Sequence, residues 1–255
     1  IKSGYGLSVE EELKMLRAIK AVSQKFSVIP TCLAAHTVPQ EFQSAPEYLN
    51  YLIDHLLPTV LAERLSTRID IFVDKGAFSI EEARSYLIKS REMGFSLVIH
   101  ADQFSPGAAL LAAELGAVSA DHLEQSTVEE ARALKKGNVF PIVLPGASLG
   151  LGMPFPPARM LLDEGLPLVI ASDWNPGSAP MGNLLTQAAV LGAAQKLTMA
   201  ETFAALTIRA AKALQLNDRG ELAVGKRADA IAFPCADYRE ILYYQGSLHP
   251  VRIIC

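Results

Sequence analysis

An α/β fold with a parallel sheet is predicted by two features of the sequence. Short β-rich runs alternate with amphipathic helix patterns. Several of the runs, such as Phe95-Ser-Leu-Val-Ile and Leu166-Pro-Leu-Val-Ile-Ala, are almost continuously apolar, as strands covered by helices on both faces are. Seven such units in a row point to a (β/α)8 barrel or a doubly wound sheet. No Gly-rich phosphate fingerprint follows any strand, which weakens the dinucleotide-binding form of the second.

The expected strands are Ile1–Tyr5, Ser27–Ala35, Ile69–Val73, Phe95–His100, Ala117–Asp121, Val139–Leu144 and Leu166–Ala171. Four capping boxes, a hydroxyl residue with Glu three positions on, open helices between them: Ser8…Glu11, Ser79…Glu82, Ser126…Glu129 and Thr198…Glu201. After Ser8, the residues Leu13, Leu16, Ile19 and Val22 share one helical face. Gly94 and Gly137 read as glycines that close helices. From about Asn217 the pattern changes to short pieces punctuated by Gly220 and Gly225. This predicts a barrel over 1–216 and a small β-unit over 217–255.

Composition narrows the function classes. The chain has 255 residues, 23 Lys+Arg against 27 Asp+Glu, and a formal net charge of −4, an ordinary globular balance. The acidic balance argues against nucleic acid as a partner. No uncharged apolar run reaches the roughly 18 residues of a membrane span; the most apolar stretch, Ala108–Ala120, carries Glu114. Cys32, Cys235 and Cys255 are too few, and odd in number, for a disulfide framework, so a reducing compartment, the cytoplasm, is expected. No signal-peptide pattern and no Met open the chain, and Val251–Cys255 ends on a strand-like run. Both ends read as cut.

In a (β/α)8 barrel the chemistry sits at the C-terminal ends of strands. The strand ends here carry Gly4-Tyr5-Gly6, His36-Thr37, Asp74-Lys75, His100-Ala-Asp-Gln103, Asp121-His-Leu-Glu124, Pro145-Gly146 and Asp173-Trp-Asn-Pro-Gly177. A single strand-end histidine is usually structural. His36, His100 and His122 together with Asp173 suit a zinc or iron(II) ion with an open position. Such an ion brings the pKa of bound water toward ~7. Read alone, Asp173 is also a turn residue, a buried Tyr5 a core residue and Gln103 a solvated loop residue. His55, inside the helical pattern Tyr48–Leu65, and His249, before Pro250, are expected at the surface or in packing.

Taken in order, these segments resemble the imidazolonepropionases of histidine degradation, within the amidohydrolase superfamily. The resemblance rests on Lys2-Ser-Gly-Tyr-Gly-Leu7, Ala35-His-Thr-Val-Pro-Gln-Glu-Phe42, His100-Ala-Asp-Gln-Phe104, Asp121-His-Leu-Glu124, Ser172-Asp-Trp-Asn-Pro-Gly-Ser-Ala-Pro180 and Gly220-Glu-Leu-Ala-Val-Gly-Lys-Arg-Ala-Asp229. It implies a metal-dependent hydrolase that opens 4-imidazolone-5-propanoate to N-formimidoyl-L-glutamate. It implies one divalent metal, zinc or iron, with His100 and Asp173 as ligands. It places Tyr5, His36, Gln103 and Ser178 against the imidazolone, and Asn175 and Gly177 against the ring-opened product. His122 matches the histidine that stabilises the attacked carbonyl, and Asp173 the proton carrier.

The sequence departs from the family at two places. The H-x-H that follows the first barrel strand is absent from the 255 residues, so the seven strands correspond to the second to eighth of eight. The chain then reads as an internal fragment without the first strand and with part of a small β-sandwich domain at its C-terminal end. Gln103 stands where some members carry Glu. A Gln is no base, which leaves proton transfer to Asp173 and the metal-bound water. The competing readings are another amidohydrolase acting on a cyclic amide or amidine, and a catalytically inert truncated barrel. The expected partner is a small molecule. A homodimer is compatible with the sequence, which does not fix the oligomeric state.

Overall fold

A computed structural model describes residues 1–255. The chain divides into two compact units, Ile1–Asp121 with Ala133–Val139, and His122–Arg132 with Phe140–Cys255. β1 (Cys32–Ala35), β2 (Arg68–Val73), β3 (Ser96–Ala101) and β4 (Ser119–His122), of the first unit up to Asp121, follow one another across the sheet in chain order. A doubly wound sheet reverses its order at a switch point; this sequential order is the barrel's. In the second unit β5 (Phe140–Val143) pairs in parallel with β6 (Val169–Ile170). A helix follows each of these strands, and the architecture is that of a partial (β/α) barrel.

The register of β2 on β3 is continuous, from Arg68 opposite Ser96 to Val73 opposite Ala101. Successive side chains alternate between faces. Ile69, Ile71, Leu97 and Ile99 therefore share one face, all buried. Asp70, Phe72, Val98 and His100 share the other, with Phe72 directly opposite His100. This second face carries the chemistry.

The first expected strand, Ile1–Tyr5, is reduced to one parallel bridge between Lys2 and Thr31. Gly4, at φ +125°, turns the chain off the ladder after two backbone bonds, from Ser3 N to Thr31 O and from Thr31 N to Ile1 O. The expected strands also shorten at prolines, which give no ladder donor: Ser27–Ala35 begins only at Cys32, beyond Pro30, and Leu166–Ala171 keeps two residues beyond Pro167.

The helix starts follow the caps with one shift. Ser8 caps Val9–Ser23, and the reciprocal boxes at Ser79/Glu82 and Thr198/Glu201 are both closed. The helix Val128–Lys136 is capped one residue later than expected: Thr127 N and Oγ1 both donate to Glu130 Oε2, at 2.8 and 2.5 Å. Gly94 closes its helix at φ +99° as expected. At the other glycine the left-handed residue is Asn138, φ +55°. Gly137 is small for another reason, since a Cβ there would meet the Ala113 carbonyl oxygen at 2.8 Å. Leu13, Leu16 and Ile19 are buried, whereas Val22 is exposed.

The segment expected as a helix over Tyr48–Leu65 is three pieces: α-helix Ala45–Tyr51, a π-helical turn Leu52–Leu56 and α-helix Leu57–Ala62. Among its buried residues, which also include Leu49 and Leu57, Tyr48, Leu52, Leu56 and Val60 recur every four positions. In an α-helix each such step overshoots a full turn by ~40°. The wider π turn takes up part of that drift and keeps the stripe on the core. His55 is exposed on this segment and packs against Tyr51 with the rings tilted at 48° and centroids 4.6 Å apart; His249 is exposed as well. In the tail, β7 (Ala230–Ala232) pairs antiparallel with β8 (Arg252–Ile254). No helix is long and apolar enough to cross a membrane.

Candidate active site

The first unit gathers Tyr5, His36 and His100 around Phe72 on the face of the sheet defined above, and carries Gln103 in the loop after β3. The Tyr5 and His36 rings meet edge to face, with centroids 5.3 Å apart. His36 lies 5.8 Å from Phe72 and 6.4 Å from His100. Tyr5, His36 and Phe72, with Gly4, Leu7 and Thr37, line an open cavity of about 320 Å³, at the small end of ligand sites. Tyr5 is half exposed at its mouth, which makes it a wall of the cavity and not the core residue a buried tyrosine would be.

The Gly4-Tyr5-Gly6 turn is held from the first helix. Buried Glu12 accepts from Gly4 N at 3.1 Å and from Gly6 N at 2.7 Å through one carboxylate oxygen. A Cβ on Gly6 would meet Glu12 N at 2.6 Å, so this clamp requires the glycine. Gln103 is buried in the loop after β3, and not solvated as its loop position alone suggests. Its neighbours fix it. Asp102 adopts φ +55° and accepts from Ala109 N. Phe104 N donates to Asp74 Oδ2, and Ser105 Oγ to Asp74 Oδ1, both at 2.7 Å.

Around His100 lies a buried ionic cluster that the sequence reading missed. His100 Nδ1 is 3.0 Å from both carboxylate oxygens of Asp70. Lys2 Nζ donates to Asp70 Oδ2 at 2.7 Å and to Asp121 Oδ2 at 2.5 Å. Ser119 Oγ donates to the other Asp121 oxygen at 2.9 Å. Burial alone would push the Lys2 ammonium down, but Asp121 and Asp70 outweigh it and hold it above its ordinary range. Burial likewise works against the Asp70 carboxylate, and His100 and Lys2 beside it hold it well below the usual range. One signal was available in the sequence: Asp70 interrupts an otherwise apolar strand run, where a charge is tolerated only with a partner, and Asp121 closes another.

The ligand atoms of Asp70, His100 and Asp121 lie within 4.8 Å of one another. Imidazole and carboxylate donors of this kind suit a divalent metal. Lys2 already stands between the two aspartates, so His100 is the member best placed to ligate. An imidazole whose Nδ1 is taken by a carboxylate offers Nε2 to a metal.

The second unit holds His122, Asp173, Asn175, Gly177 and Ser178. His122 and Leu123 both adopt left-handed backbone, φ +85° and +71°, an arrangement non-glycine residues rarely keep outside functional sites. His122 Nδ1 lies 3.7 Å from Glu124 Oε2, and Glu124 Oε1 accepts from Ser148 Oγ at 3.0 Å. Asp173 is also left-handed, φ +49°, and opens the loop after β6. Asn175 organises that loop: its Oδ1 accepts from Gly177 N and Ser178 N, both at 2.8 Å, and its Nδ2 donates to Asp173 O at 2.6 Å and to Ser178 Oγ. Buried Gln187, absent from the expected set, ties the loop to its strand by donating to Ser172 O and Met181 O.

A model of the amidohydrolase family matches residues 4–242. The chain belongs to the amidohydrolase family. Among its amidohydrolase relatives it is 41% identical over 253 residues to the imidazolonepropionase of Deinococcus deserti, covering 99% of this chain and 62% of that one. It is 42% identical over 258 residues to that of Rubrobacter xylanophilus, covering 100% and 62%. For that of Bdellovibrio bacteriovorus the identity is 40% over 248 residues, covering 96% and 58%. The chain thus spans about three fifths of the length of the curated relatives it matches. Among solved structures it is similar in fold to a 5-methylcytosine deaminase from Klebsiella pneumoniae, with TM-score 0.74 and 18% identity over 97% of this chain and 67% of that one. It is also similar to an adenosine deaminase from Xanthomonas campestris with bound zinc, with TM-score 0.69 and 19% identity over 91% and 61%.

Proposed function

We propose that the protein is an imidazolonepropionase, hydrolysing the cyclic amide of 4-imidazolone-5-propanoate to N-formimidoyl-L-glutamate in histidine degradation, in the cytoplasm. The observation that carries this reading is the small aromatic cavity of Tyr5, His36 and Phe72 beside His100, in a chain similar to imidazolonepropionases from end to end. Tyr5, His36, Gln103 and Ser178 contact the flat imidazolone. Asn175 and Gly177 receive the opened product.

In this reading His100 and Asp173 hold one divalent metal, zinc or iron. When bound, it polarises the ring carbonyl and the attacking water. Asp173 takes a proton from that water and delivers it to the leaving ring nitrogen as the C–N bond breaks. His122, whose Nδ1 lies 3.7 Å from the Glu124 carboxylate, donates to the carbonyl oxygen as negative charge develops there. Buried Gln103, neutral at any pH, orients the ring without exchanging protons. Residues 1–216 form the barrel and 217–255 belong to a composite β domain. The small-molecule substrate is the partner, and a homodimer is compatible with this reading.

The test is an assay of 4-imidazolone-5-propanoate consumption alongside metal analysis of the same samples. His100→Ala should lose metal and turnover together, by more than about 100-fold, since losing a ligand exceeds the ~10–100-fold cost of losing an outer partner. A fully metallated, active His100→Ala protein would remove His100 from the site. Ammonia release from a cyclic amidine, with no attack on the imidazolone, would favour a deaminase instead.

A further inference from the structure

Lys2, whose side chain is 31% exposed, joins the buried carboxylates of Asp70 and Asp121 in an ionic group with no part in the proton path above. Its geometry is specific. Asp70 has three engagements: Lys2 Nζ at 2.7 Å, the Ile71 amide at 2.8 Å and His100 Nδ1 at 3.0 Å. Asp121 has Lys2 at 2.5 Å and Ser119 Oγ at 2.9 Å. Both carboxylates are inaccessible, with side-chain exposures of 0% and 5%. Lys2 reaches them from a segment held to the sheet by the bridge to Thr31 and by Leu33 N, which donates to Ser3 Oγ at 3.1 Å.

A buried carboxylate without a counter-charge would be costly, and two side by side more so. The lysine meets that cost with a cation belonging to the chain. Two carboxylates against one ammonium leave the group formally one negative charge in excess, beside an imidazole. A carboxylate on Nδ1 of a histidine favours the tautomer with its proton on Nδ1 and its lone pair on Nε2, and makes the ring a better ligand.

We infer that Asp70 is the positioning residue that sets the tautomer and aim of the His100 ring, and that Lys2 is the internal cation that holds Asp70 and Asp121 in place for it. The inference rests on His100 being a metal ligand, but its first readout does not need the metal. Long-range ¹H–¹⁵N correlation spectra of the metal-free protein report which ring nitrogen of each of the five histidines carries the proton, with His100→Gln used for assignment. His100 should be found with its proton on Nδ1; a proton resident on Nε2 overturns the inference.

The second readout is zinc affinity by calorimetric titration. Asp70→Asn keeps the shape and removes the charge. It should mix the two tautomers and weaken zinc binding by about 10–100-fold. Lys2→Met should weaken binding in the same direction, and Lys2→Arg should restore most of it. Unchanged tautomer and unchanged affinity in a folded Asp70→Asn protein also overturn the inference. If Asp70→Asn fails to fold, the parent spectrum and the Lys2→Met and Lys2→Arg pair still decide. A parent protein that binds no zinc or iron, yet shows the Nδ1 tautomer, sinks the metal reading and leaves the positioning role intact.

Discussion

At the scale of single residues, what a group can do follows from what it was folded against. Cys32 is fully buried in β1, and burial pushes its thiol up to about 12. A thiolate is the reactive form, so at pH 8 Cys32 should resist a thiol reagent in the native protein, whereas exposed Cys255 reacts within minutes. Timed labelling with mass spectrometry checks this; modification of Cys32 as fast as Cys255 without denaturant would contradict it. The strand-end residues Tyr5, His36, His100, His122 and Asp173 stand out in the sequence because polar groups after apolar runs have no packing reason to be there. Lys2, Asp70 and Asp121 were harder to see. Their role depends on partners up to 119 positions away, and nothing in local spacing encodes such a pairing.

At the scale of elements, caps are legible and registers less so. The box at Thr198/Glu201 is read correctly from four residues because its bonds are local, while at Ser126-Thr127 two adjacent hydroxyls compete and the structure uses the second. Glu201 does more than cap. Its bidentate pair with Arg159, both bonds 3.0 Å, and the Thr198 amide lower its carboxyl to about 2. A depressed carboxyl stabilises the fold above its unfolded value near ~4.3 and loses that contribution as pH falls toward 2. Glu201→Gln should therefore cost about 1 kcal/mol at pH 7 and almost nothing at pH 2.5. Paired thermal melts across that range check the convergence; a constant gap at all pH values would assign the effect to shape and not charge. The π turn at Leu52–Leu56 was not legible, because a period of four looks like an α-helix over any short window.

At the scale of the whole molecule, the parallel α/β class is legible because two independent patterns, buried strands and capped helices, agree along most of the chain. The first strand is overestimated because Gly4 and Gly6 look permissive in sequence and act as breakers only once the helix behind them is in place. Stability is uneven. β1, β2 and β3 are buried almost throughout, whereas in the tail Leu222, Val224, Ile231 and Ile253 are exposed. Hydrogen exchange should therefore show the highest amide protection in β2 and β3 and the lowest in β7 and β8. Equal protection of the two would show that the tail is covered in solution. The ammonium of Lys2 has a consequence at this scale too. Because it is tethered to the backbone, no chelator can extract it. If His100 ligates a metal as proposed, protein stripped with a chelator should keep that imidazole aimed, with no rebuilding of the wall behind it before an ion returns.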